Sequence, residues 1–131
     1  MNIRTLIGLT GALSLCCVTA VFAGQAKPNT GAKAAAATSA SLTNGTALYK
    51  RQCVMCHGAA GLGDGPAAKS MKGKLPSLAN KSTMSKLTDA QIHEVITNGK
   101  KTEIGNMPGL GKRLKPEEIT DIVNYVRTLA K

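Results

Sequence analysis

The chain has 131 residues, enough for one domain. Its formal charge of +10 comes from 17 basic and 7 acidic residues. It has no Trp and only two tyrosines, Tyr49 and Tyr125, so the stacking platforms of a nucleic-acid binder are missing. A folded part this small with so few rings has little core of its own. Something else must fill its centre, and a bound cofactor would do so.

In chain order, residues 1–23 read as a signal peptide. Arg4 is the lone charge of a short basic start, and an apolar stretch follows from Leu6 to Ala23. Val21-Phe22-Ala23 then offers a cleavage point before Gly24. The alternative is an uncleaved membrane anchor, but Gly8, Gly11, Ser14 and Thr19 dilute the stretch. A lipoprotein site at Cys16 or Cys17 wants a small preceding residue, and Leu15 and Cys16 stand there. Cleavage removes both of these cysteines and leaves Cys53 and Cys56. In an oxidising compartment that pair should be disulfide-bonded, metal-bound or consumed by chemistry. Residues 24–41 form a low-complexity, alanine-rich tract without apolar periodicity, read as a flexible tether.

From Leu42 the composition turns globular. A first helix is predicted over residues 44–53, with Leu48 and Tyr49 on one side and Gly45 one turn earlier. Residues 58–74, rich in glycine and with Pro66, read as loop. A helix is predicted within residues 86–100. Thr88 is its N-cap, Gln91 completes a capping box, and Leu87 and Ile92 form a staple. Ile92, Val95 and Ile96 give its apolar stripe, and Gly99 ends it. Residues 103–113 are again loop. The last helix starts at Pro116, with Glu117 and Glu118 at its positive end. Ile119, Ile122, Val123, Val126 and Leu129 recur along it at helical spacing, with Tyr125 beside them. No segment reads as a convincing strand. The expected class is all-α, three to five short helices joined by glycine-rich loops.

The chemistry lies in Cys53-Val54-Met55-Cys56-His57. C-x-x-C-H is the attachment pattern of c-type haem. Two thiols about one helical turn apart reach two vinyl groups of the macrocycle, and the following imidazole lies under the iron as proximal ligand. A redox dithiol would want a βαβ setting, and no strands are predicted. A closed zinc site needs four ligands, and only His93 is available beyond the motif.

The sixth iron ligand should come from far along the chain. Met55 lies inside the motif and cannot reach the far face. Met107 sits in Gly105-Asn106-Met107-Pro108-Gly109, a loop stiffened by proline just before the last helix. It is the favoured axial ligand, with Met84 in reserve. Met71 and Met84 otherwise read as gap-filling or loop residues. His93 reads as a solvated helix residue.

At this point the chain, over about residues 42–129, resembles a monohaem class I cytochrome c of the bacterial periplasmic kind. The matching features run in that family's order: Gly45 and Tyr49, then the C-x-x-C-H motif with Gly58, then Pro76-Ser77-Leu78, Met107-Pro108 and Tyr125. The resemblance implies a cytochrome c fold wrapped around one covalent haem c and its iron. It implies that the first and last helices cross closely, with Gly45 giving clearance and Tyr125 packing there. It also implies that the Pro76 carbonyl accepts the free ring N–H of His57 and that Leu78 packs on the haem.

With His57 and Met107 both on the iron, no position is open, which suits outer-sphere electron transfer and not substrate binding. The expectation is a periplasmic one-electron carrier, monomeric and not an enzyme, working between respiratory or dehydrogenase partners. Lys50, Arg51, Lys69, Lys72, Lys74, Lys100, Lys101 and their basic neighbours would steer acidic partner proteins.

Overall fold

The computed structural model describes residues 37–131. The signal peptide read at 1–23, and the tether read at 24–41 up to residue 36, lie outside the described residues. In chain order the elements are α1 (Ser39–Gln52), α2 (Val54–His57), a 3-10 turn (Pro66–Ser70), α3 (Lys81–Met84) and α4 (Asp89–Asn98). A hairpin of β1 (Gly99–Lys101) and β2 (Asn106–Pro108) follows, and α5 (Pro116–Leu129) closes the chain.

Helix α1 starts earlier than the expected Asn44, inside the stretch read as tether. The Thr38 side chain caps it by accepting from Ser41 N at 3.1 Å. The reason the helix extends is tertiary. The Asp121 carboxylate on α5 accepts from Ser41 Oγ at 2.5 Å and from Asn44 Nδ2 at 2.6 Å, and Asn124 Nδ2 donates to Ser41 Oγ at 2.8 Å. A run of small residues with no apolar pattern is thus anchored from another helix.

The expected crossing of the first and last helices is present. A Cβ at Gly45 would run into the Asp121 carbonyl, so only glycine lets the two backbones approach this closely. One turn on, the Tyr49 and Tyr125 rings pack with centroids 5.1 Å apart. Leu48 and Tyr49 of α1, Ile92 and Ile96 of α4, and Ile119, Ile122, Val123 and Val126 of α5 form one buried cluster with Met84 and Leu110. Each fully buried aliphatic side chain contributes about 1.5–3 kcal/mol.

Helix α4 has the expected capping box. Gln91 N donates to Thr88 Oγ1 at 3.2 Å, and Thr88 N donates to Gln91 Oε1 at 2.8 Å. Leu87, expected to staple onto Ile92, stays 41% exposed. Arg127 of α5 also secures this corner. Its guanidinium meets Asp89 Oδ1 at 2.6 Å and donates to the Met84 and Leu87 carbonyls at 2.7 and 2.6 Å. Helix α5 begins at Pro116, and Lys115 N donates to Glu118 Oε2 at 2.8 Å.

The expectation of no strand is corrected by the hairpin. It is antiparallel, with Gly99 opposite Pro108, Lys100 opposite Met107 and Lys101 opposite Asn106. Strands of three residues are too short to show an alternating pattern. The fold is otherwise helical, as expected. Among the described residues no helix is long and apolar enough to cross a membrane.

Candidate functional site

The C-x-x-C-H segment is built as a helical turn with a break in front of it. Helix α1 closes with Cys53 N donating to the Tyr49 carbonyl at 2.9 Å. The chain then restarts as α2: Cys56 N and His57 N both donate to the Cys53 carbonyl, at 3.1 and 2.9 Å. Residues three and four apart on a helix share a face, so Cys53, Cys56 and His57 project together. Met55 lies off that face and is 59% exposed.

The glycine loop after the motif satisfies its carbonyls. Gly63 N donates to the His57 carbonyl at 2.9 Å and Gly65 N to the Cys56 carbonyl at 3.2 Å. A Cβ at Gly65 would strike the Val54 and Met55 carbonyls, so this return is open only to glycine. The buried Tyr49 hydroxyl donates to the Gly58 carbonyl at 2.8 Å. Burial, with smaller contributions from Cys53, Tyr125 and Asp64, pushes the pKa of Tyr49 up, so it stays a neutral donor.

Cys53 and Cys56 are free, half-buried thiols. Burial, and then the neighbouring Cys56, push the Cys53 thiol up to about 11. A redox dithiol depends on the opposite shift, so its reading finds no support here. Burial also lowers the His57 pKa, which keeps the imidazole neutral, the form that ligates metals. His57 Nδ1 is buried without a hydrogen-bond partner. Such an atom costs about 1–3 kcal/mol.

The bond expected from His57 to the Pro76 carbonyl is therefore not made, and this is a correction. The two residues after Pro76 are tied to the loop at Gly61. Leu78 N donates to the Gly61 carbonyl at 2.7 Å and Ser77 Oγ to the same oxygen at 3.3 Å, while Pro76 is exposed.

Met107 lies on β2, half-buried. Cys53, Val54, Leu78 and Met107 all pack against the same buried cluster, so the structure brings the attachment turn, Leu78 and Met107 to one core. Met84, the reserve ligand, is 2% exposed and is part of that core. His93 is not the solvated residue expected. It is half-buried, with Nε2 3.3 Å from the Pro116 carbonyl and Nδ1 3.3 Å from Thr97 Oγ1. Among the described residues no cluster of three or more His, Cys, Asp or Glu could hold a metal ion, which leaves the zinc reading without a ligand set.

Two parts of the surroundings escaped sequence reasoning: the hairpin that carries Met107, and the contact of residues 71–73 with its turn. Neither has a local pattern. The one signal was indirect, namely Gly99 and Gly105 flanking a short polar stretch.

Two thiols and a neutral imidazole on one helical face fit a covalently held haem. Fold and site together define a small c-type cytochrome. A family model described as cytochrome c oxidase, cbb3-type, subunit III matches residues 40–126. Cytochrome c6 of Gloeothece citriformis (strain PCC 7424) is 34% identical over 86 residues, 63% of this chain and 66% of that relative. The chain thus spans just under two thirds of that relative's length. Of solved structures, the KustC0563 c-type cytochrome is similar at a TM-score of 0.54 and 29% identity, covering 66% of this chain and 98% of that one. The c-type cytochrome XoxG from Methylobacterium extorquens AM1 is similar at 0.52 and 25%, covering 69% and 50%. The chain belongs to the matched cytochrome family and is a monohaem class I cytochrome c. Its family carries electrons on covalent haem c and its iron, and Cys53 and Cys56 fit the attachment.

Proposed function

We propose that this chain is an exported, periplasmic one-electron carrier whose iron is ligated by His57 and Met107. The observation that carries the reading is the placement of Met107. It is half-buried against the same core that Cys53 and Leu78 pack on, whereas Met84 is enclosed in that core and Met55 faces out. Export rests on the signal peptide read at residues 1–23.

The bound haem supplies a one-electron ferric/ferrous couple. Cys53 and Cys56 anchor it through thioether bonds. His57, neutral through burial, presents a nitrogen lone pair. The Met107 thioether favours the ferrous state and so raises the potential. Leu78, packed on the same core, would lie against the haem. With His57 and Met107 both holding the iron, no ligand position would be left for a substrate, and the chain would act as a carrier and not an enzyme. Acidic redox proteins such as an oxidase, reductase or dehydrogenase are its partners, drawn by its positive charge.

The test is spectroscopic. Oxidised protein at neutral pH shows the weak near-infrared sulfur-to-iron band. Met107→Ala abolishes it, opens the iron to carbon monoxide in the ferrous state, and lowers the midpoint potential. Met84→Ala keeps the band. The opposite pattern would reassign the ligand to Met84, and no change in either variant would remove methionine ligation.

A second reading is favoured by the description of the matched family as an oxidase subunit. In it the chain resides in an enzyme complex. Isolation from native periplasm as a monomer beginning at Gly24 supports the free carrier. Co-isolation with a stable partner supports the subunit.

A further inference from the structure

Met107 is presented by a hairpin whose strands have three residues each. A two-stranded hairpin is marginal on its own, so its position must be set from outside. Its base is fixed to α4. Leu110 N and Gly111 N donate to the Ile96 and Thr97 carbonyls at 2.8 and 3.0 Å. Its turn is closed internally by Thr102 N on the Gly105 carbonyl at 2.9 Å. That bond shapes the turn but does not tie it to the rest of the molecule.

The tie comes from a segment more distant in sequence. Lys72 N donates to the Ile104 carbonyl at 3.1 Å. Met71 lies over the same turn: a Cβ at Gly105 would stand 3.8 Å from both Cγ and Sδ of Met71. A Cβ at Gly73 would stand 3.5 Å from Ile104 Cγ1. Met71 and Ile104 are both half-buried. Residues 71–73 are themselves held by the preceding 3-10 turn, through Met71 N on the Ala68 carbonyl at 3.1 Å.

We infer that residues 71–73 brace the turn of the hairpin, and that Met71 is a positioning residue for the Met107 thioether, setting how readily the sulfur leaves the iron. The inference rests on the Met107 ligation proposed above. The physical reason is local opening. The base of the hairpin stays paired to α4, so the sulfur is freed when the far end lifts, and the contacts opposing that motion are those of residues 71–73. An outside ligand binds the ferric iron only in the open fraction, so its apparent rate reports how often the brace lets go.

The experiment follows imidazole, a neutral ligand, binding to ferric holoprotein by stopped flow, with the near-infrared sulfur band and the midpoint potential measured alongside. Met71→Ala should keep the band, lower the potential and speed imidazole binding about fivefold, as expected for losing on the order of 1 kcal/mol of contact. Met71→Leu restores the bulk and should return the rate to near wild type. Leu87→Ala removes an exposed apolar residue away from the hairpin and should leave the rate unchanged. An unaltered rate in Met71→Ala, with the band intact, overturns the brace, as does a Met71→Leu variant as fast as Met71→Ala. A wild-type protein without the band sinks the Met107 ligation instead. Loss of the band in Met71→Ala with its retention in Met107→Ala would make Met71 the ligand and overturn both.

Discussion

The attachment turn and the methionine hairpin are held by opposite means. The turn at Cys53 to His57 is closed by bonds from its own neighbourhood: the end of α1, the Cys53 carbonyl, and glycine amides from Gly63 and Gly65. The hairpin carrying Met107 has short strands and depends on α4 at its base and on residues 71–73 at its turn. The local half should survive perturbation of the rest of the domain. The assembled half should loosen first, because the bond that ties its turn to the rest of the molecule, Lys72 N to the Ile104 carbonyl, closes a long loop of chain.

The largest expected effect breaks the local half outright. In the wild type the haem stays with the chain through denaturing electrophoresis and acid-acetone extraction. Cys53→Ala combined with Cys56→Ala should release it completely. Wild-type haem that extracts freely would remove the attachment reading, whatever the hairpin does.

A smaller effect probes the bond that backs the local half. Tyr49→Phe loses the hydroxyl bond to the Gly58 carbonyl, and urea unfolding should report about 1 kcal/mol of lost stability. The pH dependence gives a sharper signature. The folded-state pKa of Tyr49 is raised above the unfolded value near 10, so its neutral form is favoured in the fold. Its contribution is fully present below about pH 10 and is lost as pH rises toward the folded pKa. Wild-type stability should therefore fall above about pH 10, and Tyr49→Phe should flatten that fall. The Met107 sulfur band should persist in this variant at neutral pH. Its loss would show that the two halves are not separable.

The smallest effect asks which half meets the partner. Electron transfer with an acidic protein should slow as salt rises, since exposed charges are screened over about 10 Å at 0.1 M. Exposed Lys50 and Arg51 stand beside the attachment turn, and exposed Lys100 and Lys101 lie on the hairpin. Charge removal at one pair should weaken the salt dependence more than at the other, and that difference identifies the docking side. Rates indifferent to salt in every form would remove the electrostatic docking argument and leave the haem assignment untouched.

Much of this molecule was legible because the deciding contacts are close in sequence. The C-x-x-C-H spacing is a property of one helical turn. Thr88 and Gln91 cap a helix from three residues apart, and the apolar repeat of α5 follows helical geometry. Gly45 and Tyr125 were legible through family resemblance, and their crossing is present. By contrast, α1 begins at Ser39 because an α5 carboxylate reaches back to Ser41, and nothing in an alanine-rich tract announces that. His93 reads as a solvated helix residue until α5 puts the Pro116 carbonyl against it. The bond from His57 to Pro76 was implied by resemblance alone, and in the structure His57 Nδ1 has no partner.

The sequence by itself marked out the bodies of the three long helices and the attachment turn, and it put Met107 forward as the favoured methionine, because spacing and caps act within a few residues. Only the tertiary structure decided how that methionine is carried. Three-residue strands have no pattern of their own, and a hairpin of that size exists where distant backbone groups accept and donate at its edges.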